Sequence, residues 1–289
     1  MLKRELSRKE TGIEYTDSTW KSDDDLNLHT HTWMPLGDIR GVIVIIHGLG
    51  EHGGRYADLA EKLGNTGFIV CSFDLRGHGR SEGRRGHTKR YADLLHDIEA
   101  FLDKCRTDFP DLPQYLYGHS LGGNLVLNYA TRNHSAVQGI IVTSPWLKLR
   151  NPPSKSLLFI VDILGKILPG FLVKNRLKAE DLSRDLRVVH DYRTDKLVHN
   201  HISLRMLKQV YYAGINVSLN IYKINTPLLV MHGSADNITS CKATREFVRN
   251  SSNKTTYIEW QDGYHELHND LHKEEVLETL LNWLNQQVI

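Results

Sequence analysis

Ser120, Asp236 and His265 are residues whose types and order in this sequence could carry out acyl chemistry. Ser120 lies in Gly118-His119-Ser120-Leu121-Gly122, a Gly-x-Ser-x-Gly pentapeptide. A short apolar run precedes it and a stretch with helical spacing, residues 123–132, follows it. A strand, a sharp turn and a helix in that order lift a serine hydroxyl clear of a sheet as a nucleophile. The chain crowds there so closely that Gly118 and Gly122 have no room for a Cβ. A hydroxyl is a weak nucleophile until a base takes its proton, and the base needs a carboxylate to orient it. Two later loops supply these groups. Residues 228–234 read as a strand and turn that deliver Asp236, and Tyr257-Ile258-Glu259-Trp260 leads through Asp262, Gly263 and Tyr264 to His265. Asp262, on the histidine's own loop, is the alternative acid.

The chain has sixteen histidines, so the choice of base needs an argument. His47 and His119 sit in turns and read as packing or loop-fixing residues; His232 ends its strand before the acid; His52 and His78 precede the serine. His265 follows both the serine and Asp236 and sits on the loop after its strand, so it is the expected base. Negative charge developing on the substrate oxygen requires two backbone N–H donors. Leu121, directly after the nucleophile, is one candidate, and Leu49 in His47-Gly48-Leu49-Gly50 is the other.

Two rival chemistries compete for the same residues. His265, His268 and His272 contain one i, i+4 pair but form no HExxH motif, and no cysteine pair accompanies them, so no metal is expected. Gly48, Gly50 and Gly53 match G-x-G-x-x-G between a strand and a helix. The only acidic residue at the end of the next strand is Asp74, and the serine triad claims the same loop, so no dinucleotide or other cofactor is expected.

These residues must be held by a layered scaffold. Val42-Ile43-Val44-Ile45-Ile46 is a continuous β-branched run, as a parallel strand buried on both faces requires. Residues 68–73, 114–119, 139–143, 226–232 and 255–260 read as further strands, with helical patterns at 55–64, 91–105, 242–249 and 270–287 between or after them. Segments near 13–20 and 26–33 read as a leading hairpin turned by the acidic run at 22–25, after a polar arm at 1–12. The alternation implies an α/β protein with a mostly parallel sheet covered by helices on both faces. It breaks between 145 and 225, where Pro145, Pro152, Pro153 and Pro169 punctuate helical pieces without strands. The expected organisation is a core at 1–144 and 226–289 with a helical cap at 145–225.

Composition sets bounds on the rest. Across 289 residues the net charge is only +2, which gives no global field for nucleic acid. Cys71, Cys105 and Cys241 lie far apart, as free thiols in a reducing compartment would. Residues 1–10 contain no apolar core of a signal peptide, and the apolar stretch at 157–173 is broken by Asp162, Lys166 and Pro169. A cytoplasmic protein is expected. The cap segment holds 14 Lys and Arg against 6 Asp and Glu, a balance of +8 that leaves −6 for the remainder. The preferred reading is that its apolar run faces inward and its charges are solvated; the alternative is peripheral docking on an anionic membrane surface.

Four motifs together resemble the monoacylglycerol lipase and lysophospholipase branch of the α/β-hydrolases, and the resemblance covers nearly the whole chain. They are His47-Gly48-Leu49-Gly50-Glu51-His52-Gly53-Gly54-Arg55-Tyr56, Gly77-His78-Gly79-Arg80-Ser81-Glu82-Gly83, Gly118-His119-Ser120-Leu121-Gly122-Gly123 and Gly233-Ser234-Ala235-Asp236. The resemblance implies an eight-stranded α/β-hydrolase fold, a serine esterase acting on a single-chain lipid ester, and an acyl tunnel beneath the cap. It also implies a polar pocket for the glycerol head lined by Glu51, Arg55, Tyr192 and His268. Glu51 and Arg55 could equally form a plain i, i+4 ion pair at a helix start. Lysophospholipases and other esterases or peptidases of the same family share these motifs.

Overall fold

The computed structural model describes residues 12–132, 137–175, 177–251 and 254–287; apart from Gly12, the expected polar arm lies outside the described residues. The leading hairpin is β1 (Ile13–Lys21) and β2 (Asn27–Pro35), paired antiparallel. Next come β3 (Gly41–Ile46) and, after a 3-10 turn at Gly53–Tyr56, helix α1 (Ala57–Gly64). β4 (Phe68–Phe73), α2 (Tyr91–Asp108), β5 (Gln114–His119), α3 (Leu121–Ala130) and β6 (Gly139–Thr143) complete the first half.

The chain then leaves the sheet through α4 (Lys155–Ile167), β7 (Leu172–Lys174), α5 (Leu186–Thr194), β8 (His201–Ser203) and α6 (Leu204–Asn220). It returns with β9 (Leu228–Gly233), α7 (Cys241–Val248), β10 (Thr255–Trp260) and α8 (Lys273–Gln287). The inserted segment is not purely helical as expected. β7 and β8 pair antiparallel as a small ribbon, and three residues per strand are too few to show a period-2 pattern in the sequence.

The main sheet runs β1-β2-β4-β3-β5-β6-β9-β10, with the pairings of β2 antiparallel and all the others parallel. Every residue of β3 is buried, and because side chains alternate across a strand it feeds two cores. Val42, Val44 and Ile46 pack with Leu94, Ile98 and Phe101 of α2 and Leu125 of α3. Ile43 and Ile45 face the other way, toward Leu59 and Leu63 of α1 and Val276, Leu280 and Leu284 of α8. The sheet is therefore held from both sides, and its parallel strands all present their C-terminal ends at one rim, where ligands of open α/β sheets bind.

The inserted segment is fixed unevenly. α6 buries Leu204, Met206, Val210 and Val217 and packs against α3, whereas α4 rests on α6 and buries only Val161 and Gly165. Near β8 the backbone is fastened to two core loops: His199 N–H donates to Gly50 O at 2.8 Å and Ser203 N–H to Gly86 O at 2.8 Å. Gly50 has φ +79°, and a Cβ there would lie 2.3 Å from His199 O, so the contact requires glycine.

Candidate active site

Ser120 occupies the turn between β5 and α3 with φ +54° and ψ −112°, a conformation that a side-chain-bearing residue adopts only under strain. The turn closes because its neighbours are small. A Cβ on Gly122 would sit 1.9 Å from Ile46 O, and one on Gly118 2.5 Å from Gly122 O. The end of β3 and the start of α3 thus meet at Gly122, which brings the loop after β3 against the serine.

His265 Nε2 lies 3.0 Å from Ser120 Oγ, and its Nδ1 lies 2.7 Å from Asp236 Oδ2. The three residues come from separate strand ends and are all buried. Asp236 is held on both oxygens. Oδ1 accepts the N–H groups of Ile238 (2.7 Å) and Thr239 (3.0 Å), and Oδ2 faces Thr239 Oγ1 at 2.8 Å and His232 Nε2 at 3.0 Å. Burial alone would raise its pKa, but the charge of His265 and the hydrogen bonds from His232 and His265 hold it well below the usual carboxylate range. For His265, burial pushes the pKa down, and the adjacent Asp236 carboxylate more than offsets this and raises it. Ser144 Oγ donates to His265 O at 2.7 Å and fixes the loop. Asp262, the alternative acid, is exposed; its carboxylate faces Gln261 Nε2 at 3.0 Å.

The loop carrying Leu49 is fixed from both sides of the residue before it. His47 Nε2 accepts the Leu75 N–H at 2.8 Å, so Nδ1 is the protonated nitrogen and donates to Gly48 O at 2.7 Å. Gly48 N–H donates to Glu51 Oε1 at 2.6 Å. Leu121 opens α3, so no helical carbonyl claims its N–H. His119 packs its ring 4.7 Å from that of His265, and burial lowers its pKa well below the ordinary value, which keeps a second positive charge away from the base.

A cavity of about 580 Å³ opens onto Ser120 and His265, within the usual range for small-molecule sites. Its wall holds apolar side chains, among them Leu149, Leu157, Val161, Leu177, Leu204 and Leu207, and a polar cluster of Glu51, Arg55, Tyr192 and Glu266. Arg55 makes bonds of 2.5 Å to Glu51 and 2.7 and 2.9 Å to Glu266, while the Tyr192 ring covers its planar face at 4.8 Å. Glu51 is therefore more than an i, i+4 partner: it also accepts from Tyr56 Oη at 2.9 Å and braces Gly48.

His268 is placed differently from the expectation. It is buried, stacked on Tyr56 at 4.8 Å, and is not among the residues lining the cavity. Neither of its ring nitrogens has a partner among the described residues, and burial lowers its pKa to about 4.

Glu266 was not anticipated. Burial would raise its pKa, but the Arg55 guanidinium holds it at about 2, so it is ionised. The available signal was its position beside His265, but its partner Arg55 is 211 residues away in sequence. His265, His268 and His272 serve separate contacts and do not converge. Among the described residues the one grouping that could hold a metal is His31, His52 and Asp74. There His31 and Asp74 pair at 3.1 Å, while His52 reaches across to Asp195 at 2.7 Å and ties the inserted segment to the core.

This fold and this Ser-His-Asp arrangement define a serine hydrolase of the α/β-hydrolase class. The family model described as serine aminopeptidase, S33, matches residues 37–272, and the chain belongs to that family. It is 36% identical over 271 residues to an uncharacterized abhydrolase domain-containing protein of Dictyostelium discoideum; the match covers 92% of this chain and 28% of that longer protein. It is 32% identical to the monoacylglycerol lipase of Mycolicibacterium smegmatis, across 87% of this chain and 90% of that one. Among solved structures, the monoacylglycerol lipase of Paleococcus ferrophilus superposes with a TM-score of 0.81 at 30% identity, covering 95% and 99% of the two chains.

Proposed function

We propose that this protein hydrolyses the ester of single-chain lipids, with monoacylglycerol converted to fatty acid and glycerol. The observation that carries the reading is the meeting of the Ser120–His265 pair with a cavity whose wall combines many apolar side chains with one polar cluster. In the proposed reaction Ser120 Oγ attacks the acyl carbonyl as His265 Nε2 takes its proton, and Asp236 steadies the imidazolium. The N–H groups of Leu49 and Leu121 receive the oxyanion. His265 then returns the proton to the departing glycerol oxygen, leaving an acyl-Ser120 ester. Water, deprotonated by His265, releases the fatty acid and restores the serine.

The names of the two monoacylglycerol lipases above support the substrate. The test is a panel of monoacylglycerols, lysophospholipids and aryl esters of graded chain length. The highest kcat/KM is expected for a monoacylglycerol; a lysophospholipid or an amide at the top would replace this reading with the corresponding one.

The segment 145–225 is proposed as a cap over this cavity, and its outer surface as a peripheral membrane contact for a cytoplasmic protein. Leu157 and Val161 face the cavity, so only part of the apolar run faces inward as expected. Phe159, Ile160, Ile163, Ile167 and Phe171 are exposed, Phe159 and Ile167 by 66% and 68%. Among the described residues no helix is long and apolar enough to cross a membrane. An exposed apolar surface within a segment of net charge +8 suits the headgroup boundary of an anionic bilayer. Co-sedimentation with vesicles is expected to rise with anionic lipid content and fall with salt, and Phe159→Glu to reduce it severalfold; equal binding to neutral and anionic vesicles would rule docking out.

A further inference from the structure

The polar cluster in the cavity wall has an unusual charge balance. Glu51 and Glu266 are 3% and 1% exposed, and both converge on the single guanidinium of Arg55. Each carboxylate is also fixed by neutral donors: Gly48 N–H and Tyr56 Oη for Glu51, and Asn269 Nδ2 at 2.9 Å for Glu266. Two buried carboxylates against one guanidinium leave this cluster with one more carboxylate than cation. Lys174 and Asp181, also in the wall, add one formal charge of each sign.

Arg55 would otherwise be a ready anion ligand, because its planar fork fits a phosphate. Here Glu51 and Glu266 occupy the fork and the Tyr192 ring covers one face. An incoming anionic head would have to break these bonds and sit beside two carboxylates in a place with little water to screen them. A neutral polyol meets no such penalty and can hydrogen-bond to the carboxylate oxygens as a donor.

We propose that Glu266, acting with Glu51 and Arg55, makes this part of the cavity wall a head-group filter that admits uncharged polyol esters and rejects phosphate-bearing ones. The inference rests on the ester-hydrolase reading of the site and adds to it a determinant of substrate charge. Glu266 is a specificity-determining residue here, one step along the chain from the base and outside the proton-transfer path.

The experiment compares a monoacylglycerol with the 1-acylglycerol 3-phosphate of the same acyl chain, on the wild-type protein and on Glu266→Gln. For the wild type, kcat/KM is expected to favour the uncharged ester by about 100-fold or more, the scale of a like-charge contact. Glu266→Gln removes the extra carboxylate and loosens one side of the Arg55 fork, so the preference is expected to shrink by about tenfold, chiefly through a gain on the phosphate ester. A wild type that turns over both esters equally, or a folded variant with an unchanged ratio, overturns the filter while leaving the hydrolase reading intact.

A second measurement needs neither turnover nor the variant. A fluorophosphonate probe labels the reactive serine, and a 1-alkylglycerol ether and a monoalkyl phosphate of equal chain length compete for the cavity. The ether is expected to protect at about tenfold lower concentration or better. Equal protection overturns the filter. Absence of turnover on both esters, with the ether still protecting better, retains the filter and discards the proposed substrate.

Discussion

Ser120→Ala is expected to lower kcat for monoacylglycerol by a factor of about 10⁶, the scale seen when the nucleophile of a serine hydrolase is removed. The hydroxyl does one thing in this structure: it faces His265 Nε2 at 3.0 Å. The turn around it is held by glycine contacts and by backbone bonds, including Ser120 N–H to Thr143 O at 3.0 Å, which alanine keeps. The melting temperature should therefore stay close to that of the wild type. Steady-state hydrolysis together with thermal unfolding separates the two effects. A folded Ser120→Ala protein with near-normal turnover would show that another group attacks the ester.

Asp236→Asn is the second large effect, with kcat expected to fall by about 10⁴. His265 must be neutral to accept the serine proton, and Asp236 raises its pKa above the ordinary histidine value of 6.5 against the downward push of burial. Wild-type activity should accordingly be present at higher pH and fall as the pH drops through a value above 6.5. In the variant the raising charge is gone and burial remains, so the acid limb should move to lower pH while the maximum rate collapses. A kcat/KM profile across pH 5 to 9 checks both. An acid limb at the same position in both proteins would mean that Asp236 does not act on the base.

Most of the frame could be read from the residues in order because its signals are local. The β-branched run at 42–46 and the strand-glycine-helix sequence around Ser120 each state their conformation within about ten residues. The order of serine, acid and histidine points to residues that the fold links through contacts of 3.0 Å (Ser120 to His265) and 2.7 Å (His265 to Asp236). What could not be read depends on distant partners. Glu266 looks like an ordinary polar neighbour of His265 until Arg55 arrives from the other end of the chain. His268 is a pocket residue by the family resemblance, yet it is buried against Tyr56 and does not line the cavity. The face that α4 turns outward depends on its docking against α6, which periodicity alone does not specify.

The uneven fastening of the inserted segment has a consequence for selectivity. Backbone bonds from His199 and Ser203 rivet the segment to loops of the core, one of them the loop that Glu51 and Arg55 follow. α4, which supplies Leu157 and Val161 to the cavity wall, buries only Val161 and Gly165 and is expected to shift at small cost. A firm throat and a yielding wall are expected from this contrast. Selection among alcohols would be strict, while fatty tails of differing length and unsaturation would be accommodated by the same chamber.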